Sequence, residues 1–125
     1  MMDDMNIKLL MAKIQKCLTP DLLKKEYRDD NSDNPMFGHC YVASEALYHT
    51  LNDKYGYSAS CGKDDEGIVH WWVVNNLTGE IYDTTRDQYF SKGKIPPYDR
   101  GRKTGFLTKE PSKRAQVVLA RMKEL

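Results

Sequence analysis

Apolar residues recur every three or four positions at the start of the chain: Ile7, Leu10, Met11, Ile14 and Leu18 share one face of a helix predicted over residues 4–18. Thr19-Pro20 ends it, and Thr19 is placed to cap a second short helix, with Pro20 at its first position and Leu22, Leu23 and Tyr27 turned inward. The charged run RDDNSDNP, residues 28–35, reads as a loop. Helical spacing returns over residues 38–55, where Cys40, Ala43, Leu47 and Leu51 form the apolar stripe and Gly56 supplies the stop.

The period then shortens. Residues 57–61 read as a short strand, GKDDEG as a polar turn, and IVHWWVV, residues 68–74, as a strand rich in β-branched and aromatic side chains. Residues 75–78 turn the chain into the other arm of a hairpin, residues 79–83. After Phe90 the pattern is loop-like through PPYDRGRKTG, until Pro111 opens a last helix with Ala115, Val118, Leu119 and Met122 on one face. Helices, then a small antiparallel sheet, then a helix predict a single α+β domain over residues 1–125, with no repeat and no linker.

Composition changes this picture little. Apolar residues at 40% and charged residues at 30% are those of a globular chain. No apolar run approaches the ~18 residues that span a bilayer, and the acidic start MMDDMNIKLL is unlike a signal peptide, so a cytoplasmic protein with no membrane partner is expected. Three cysteines without CxxC spacing read as reduced thiols, with Cys17 and Cys61 as core filler. Cys40, Cys61, His70 and Asp83 lack the paired spacing of a zinc site, and neither metal nor cofactor is expected.

Charge adds more. Residues 1–91 hold 9 Lys/Arg against 15 Asp/Glu, and residues 92–125 hold 10 against 3. Such a basic final third can bind nucleic acid or an acidic partner, or complement the acidic remainder of its own chain. No aromatic-interleaved motif favours nucleic acid.

The hairpin brings in the chemistry. If Val74 pairs with Gly79, His70 falls opposite Asp83 on the same face, with Cβ atoms ~5 Å apart. A carboxylate there fixes the imidazole tautomer and leaves the other nitrogen as a base. Cys40 begins a helix, where the partial positive charge and an imidazolium both favour thiolate over a thiol of ordinary pKa ~8.5. Six residues earlier, the Asn34 amide is a candidate to stabilise an oxyanion together with the Cys40 N–H. His39, Trp71, Trp72, Arg100 and Arg102 are candidates to line the substrate site. His39 diverges from Cys40 by about 100° around the helix, which also suits a supporting role. Trp71 and Trp72 face opposite sides of their strand, one toward the core. The segment over residues 97–108, with its two arginines, reads as a substrate-side loop or a cover over the sheet. Glu45 and His49, four residues apart, read as a surface pair.

Residues 38–85, from GHCYVASEALYHTL to HWWVVNNLTGEIYDTT, resemble the core of transglutaminase-like members of the papain-like cysteine hydrolase superfamily. In that superfamily a cysteine at a helix start is followed by a histidine in an H-aromatic strand motif and an aspartate in a D-x-T motif. Carried over, the resemblance implies Cys40 as nucleophile, His70 as base and Asp83 as the carboxylate that orients it. The papain branch has glutamine six residues before its cysteine, where this chain has Asn34. The chain also resembles small bacterial and phage proteins sharing GHCY, HWW and a D-x-T strand. The implied activity is peptidase, deamidase, amidase or transglutaminase chemistry through a thioester, on a peptide, protein or small amide. The alternative is a binding protein on an inactive version of the fold, acting through the basic final third on a host protein or nucleic acid.

Overall fold

The computed structural model describes residues 3–22, 39–106 and 109–125. Among them, four α-helices and a four-stranded antiparallel sheet make an α+β fold. Helix α1 (Asp4–Cys17) begins where the Asp3 side chain accepts a hydrogen bond from the Asn6 N–H, and is followed by the 3-10 turn Pro20–Leu22. The predicted continuation to Leu23 and Tyr27, and the loop after it, lie outside the described residues. Helix α2 (Cys40–Leu51) ends before Gly56 because Asn52 takes a left-handed conformation, φ 49°, and donates its N–H to the Tyr48 carbonyl. Asparagine tolerates that conformation, so no glycine is needed there.

Strands β1 (Tyr57–Lys63), β2 (Val69–Asn75), β3 (Ile81–Tyr82) and β4 (Arg102–Thr104) lie in the order β3-β2-β1-β4. Strand β4 forms inside the stretch predicted as loop. It has no hydrophobic alternation to betray it, and it exists by pairing Thr104 with Ala59 and Arg102 with Cys61. Two further helices complete the chain, the single turn α3 (Asp87–Phe90) and α4 (Lys113–Lys123). Ser112 caps α4 by accepting from the Ala115 N–H, one residue beyond the predicted opening at Pro111.

Alternation along β2 divides its surroundings. Val73 joins Tyr57 and Tyr82 against Ile7, Ile14, Ala46, Leu47 and Val118, filling the space between the sheet and helices α1, α2 and α4. His70 and Trp72 point to the opposite face, where Tyr89 of α3 and Tyr98 pack on them. The segment carrying Tyr98 lies so close to the sheet that a Cβ on Gly62 would come within 2.8 Å of the Pro97 carbonyl oxygen, and one on Gly101 within 2.4 Å of the Trp72 ring. Residues 97–101 of the stretch expected as a substrate-side loop or a cover thus lie over the sheet, whereas residues 102–104 join it as β4.

Glu45 corrects another expectation. It is fully buried, and its two carboxyl oxygens accept hydrogen bonds from the Ser112 hydroxyl at 2.7 Å and N–H at 2.9 Å. Its expected partner His49 lies instead against Phe106, with ring centres 6.1 Å apart. Arg121 of α4 donates to the Cys17 carbonyl, the Thr19 hydroxyl and the Asp21 carboxylate, joining the last helix to the end of the first. Lys94 and Arg100 pair with Glu66 and Asp65, so three cations of the basic final third are engaged with acids of the preceding chain. No helix among the described residues is long and apolar enough to cross a membrane.

Candidate active site

The hairpin register differs from the expected one. Val74 pairs with Ile81 rather than Gly79, and Val73 with Tyr82. The Asn75 side chain sets this by accepting the N–H groups of Leu77 and Thr78, while Gly79, at φ 77°, closes the loop onto the Asn75 carbonyl. A shift of two residues preserves the face, whereas a shift of one would have reversed it. Asp83, just past the end of β3, therefore stays on the side of His70 and reaches it diagonally.

The contact is direct. His70 Nε2 lies 2.7 Å from Asp83 Oδ2, with both side chains buried. The other carboxylate oxygen, Oδ1, accepts the Thr85 N–H at 3.2 Å, which gives the D-x-T motif a physical role: the backbone of its third residue holds the carboxylate of its first. Gln15 of α1 donates to the Thr84 carbonyl at 2.8 Å and steadies the same loop from the helical side.

Cys40 opens α2 beside the start of β2, half-buried, with its thiol 3.8 Å from the Val69 carbonyl oxygen. With Nε2 held by Asp83, the remaining nitrogen, Nδ1, is buried and has no hydrogen-bond partner among the described residues. Burial by itself would strip the proton from the ring. The hydrogen bond and charge of Asp83, together with the neighbouring Cys40, outweigh it and raise the His70 pKa to about 9.

Two aromatic residues that sequence reasoning missed enclose the pair. The Tyr98 hydroxyl donates to Asp83 Oδ2 at 2.7 Å, sharing the oxygen that His70 uses. The Tyr89 ring meets His70 edge-on, with centres 4.8 Å apart, and its hydroxyl donates to Asp64 at 2.8 Å. Burial and then the neighbouring carboxylate push both phenols well above their ordinary pKa, so each remains a donor. Both lie in segments without a hydrophobic period, and only the enrichment of aromatics after the D-x-T motif hinted at them.

The other predicted site residues scatter. Trp72 is buried against His70 and Tyr98. Trp71 faces the helical side, stacked on Phe106 with centres 5.6 Å apart and edge-on to Tyr41, the neighbour of Cys40. Arg100 is tied to Asp65 and to the Lys63 carbonyl, and Arg102 lies exposed on β4, so neither arginine joins Cys40, His70 and Asp83. Asn34 lies outside the described residues. His39 is in the interior rather than on a cleft wall, 1% exposed at the N-terminus of α2.

Burial lowers the His39 pKa to about 4, with Asp21 opposing and Arg114 assisting. The unfolded chain therefore binds a proton that the folded one refuses. The stability this involves is fully present above pH 6.5 and lost as pH falls through about 4. Thermal melting against pH is expected to fall over that window in the wild type and less in His39→Gln; parallel profiles would refute the assignment.

A cavity of about 730 Å³ lies over the turn between β1 and β2, with Gln88, Tyr89 and Tyr98 in its walls and Asp65, Glu66, Lys94 and Arg100 around it. It backs onto the tyrosines behind His70 and Asp83, and Cys40 does not line it. Cys61 shares a face with Trp71, opposite to His70, and no group of three His, Cys, Asp or Glu side chains among the described residues could hold a metal ion. Comparison with protein-family models, with curated proteins and with solved structures gives no match to this chain.

Proposed function

We propose that this protein is a cysteine-dependent hydrolase or acyltransferase acting on an amide or ester, with a papain-like or transglutaminase-like arrangement of its core. One observation carries the reading. A buried imidazole is clamped by a carboxylate through Nε2 while Nδ1 is left for a half-buried thiol at a helix start. A histidine buried only for packing needs no second nitrogen left without a hydrogen bond, because unsatisfied buried polar atoms are costly.

In the proposed reaction the Cys40 proton passes to His70 Nδ1 and Sγ attacks the carbonyl carbon. The C–S bond forms as the carbonyl π electrons move to oxygen. The first-turn N–H of Cys40, which has no partner within its helix, is placed to meet that oxygen, with Asn34 as a candidate second donor. As the carbonyl re-forms, the C–N or C–O bond breaks and the imidazolium gives its proton to the departing amine or alcohol. The thioester left on Cys40 is resolved by water or an amine, with His70 as base, and the thiol is restored. Asp83 orients the ring throughout and stabilises its cation.

Cys40→Ala is expected to abolish turnover on a panel of peptide amides, glutamine side-chain amides and aryl esters, while melting stays within about 3 °C of wild type, since a half-buried thiol contributes little to the core. Activity equal to wild type in this variant would sink the proposal.

A further inference from the structure

We infer that Tyr98 is a positioning residue for this acyl transfer: its hydroxyl, by sharing Asp83 Oδ2 with His70, limits how tightly the carboxylate holds the imidazole proton. The inference rests on reading Cys40, His70 and Asp83 as a triad and adds a fourth residue to it.

Among the described residues the carboxylate has three donors. Oδ1 takes the Thr85 N–H, and Oδ2 takes both His70 Nε2 at 2.7 Å and the Tyr98 hydroxyl at 2.7 Å. Tyr98 is fixed from two sides. Its ring meets Trp72 edge-on at 5.1 Å between centres, and its backbone runs over Gly62 and Gly101, where no β-carbon would fit without displacing a neighbour. The hydroxyl is thus delivered to Asp83 by a closely packed segment.

A donor to a carboxylate stabilises the negative charge and lowers its appetite for a proton. Two donors on one oxygen compete for the same electron density. With the Tyr98 hydroxyl present, Oδ2 draws less on the His70 N–H. Without it, the whole of that oxygen acts on the imidazolium, whose proton becomes harder to surrender to a leaving group. The carboxylate keeps its orientation in that case, because Thr85 still holds Oδ1.

Among the described residues, few groups face His70 and Asp83. Cys40 approaches from α2 and Tyr89 from α3, the latter with its hydroxyl committed to Asp64 in the turn between β1 and β2; Arg86 acts on Tyr98 from the segment before α3. Tyr98→Phe removes one hydroxyl and leaves these groups, and the ring contact with Trp72, in place.

The test is a titration of the His70 imidazole by NMR in the full chain, which has only three histidines to assign. In Tyr98→Phe the midpoint is expected to rise by roughly half a pH unit or more, about threefold in proton affinity. 3-Fluorotyrosine placed at position 98 alone, which makes that phenol a stronger donor and leaves the Tyr89 ring beside His70 unchanged, is expected to move it down. If Tyr98→Phe does not fold, the fluorinated protein decides alone. A purely structural tyrosine would lower the melting temperature in Tyr98→Phe and leave both midpoints where they were, and that result overturns the inference. Cys40 alkylation in the same samples separates the two readings: a Cys40 indifferent to His70 removes the triad, whereas a reactive Cys40 with an unmoved midpoint removes only the role of Tyr98.

Discussion

Iodoacetamide is expected to alkylate Cys40 in the wild type roughly a hundredfold faster than in His70→Ala, because a positioned imidazole that takes up the thiol proton as the sulfur attacks is worth about 10²–10⁴ in rate. Mass spectrometry resolves the three cysteines, and Cys17 and Cys61, both buried, serve as internal references. Equal rates in the two proteins would dissolve the thiol–imidazole pair and with it the proposed chemistry. The partner's titration sets a second signature. His70 is raised from its ordinary 6.5 to about 9, so the folded chain binds a proton that the unfolded chain releases. Stability from this source is fully present below pH 6.5 and is lost as pH rises through about 9. Melting temperature is accordingly expected to fall between pH 6.5 and 9 in the wild type, with a shallower fall in Asp83→Asn.

Glu45→Ala is expected to cost about 3 kcal/mol, roughly 10 °C in melting temperature for a chain of this size, through the loss of two hydrogen bonds and the opening of a buried space. Its carboxyl oxygens hold both the N–H and the hydroxyl of Ser112, and the same hydroxyl accepts from Ala115, so removing Glu45 loosens the cap of α4 as well. Ser112→Ala alone should lose about 1 to 2 kcal/mol, as helix caps do. Combined, the two substitutions should cost less than their separate losses added together, because they break one shared network. Chemical denaturation of the four proteins measures this. Full additivity, or a Glu45→Ala loss below about 1 kcal/mol, would show that the buried carboxyl does not hold α4 in place.

What could be read from the sequence was whatever is repeated locally. The stripe of α1, the start of α2 at Cys40 and the last helix with Ala115, Val118 and Met122 inward all follow from spacing. The common face of His70 and Asp83 was also legible, since it depends only on whether the register shift is even. The register itself was not: a single asparagine side chain capturing two backbone N–H groups moved the loop from residues 75–78 to residues 76–79. Glu45 was misread for a related reason. The spacing to His49 is a local cue, but the partner that decides its position lies 67 residues away. Tyr89, Tyr98 and β4 had no periodic signal because each is held by what it meets in space. How Asn34 relates to Cys40 lies outside the described residues.

The separations along the chain have a consequence for how the site comes into being. His70 and Asp83, 13 residues apart, belong to one hairpin, a local unit of the kind that forms early. Tyr98 reaches the same carboxylate from 15 residues further on, Gln15 grips its loop from 69 residues back, and Arg121 closes onto Cys17 across 104. During synthesis, therefore, the thiol, imidazole and carboxylate all leave the ribosome before Tyr98 and α4, and a nascent chain ending near Phe90 carries Cys40, His70 and Asp83 without the hydroxyl that shares Asp83 Oδ2. Cleavage of the folded protein in the exposed stretch of residues 91–95 would sever the covalent link between the same two parts, so the finished chain carries one connection at which Tyr98 can be separated from the carboxylate it donates to.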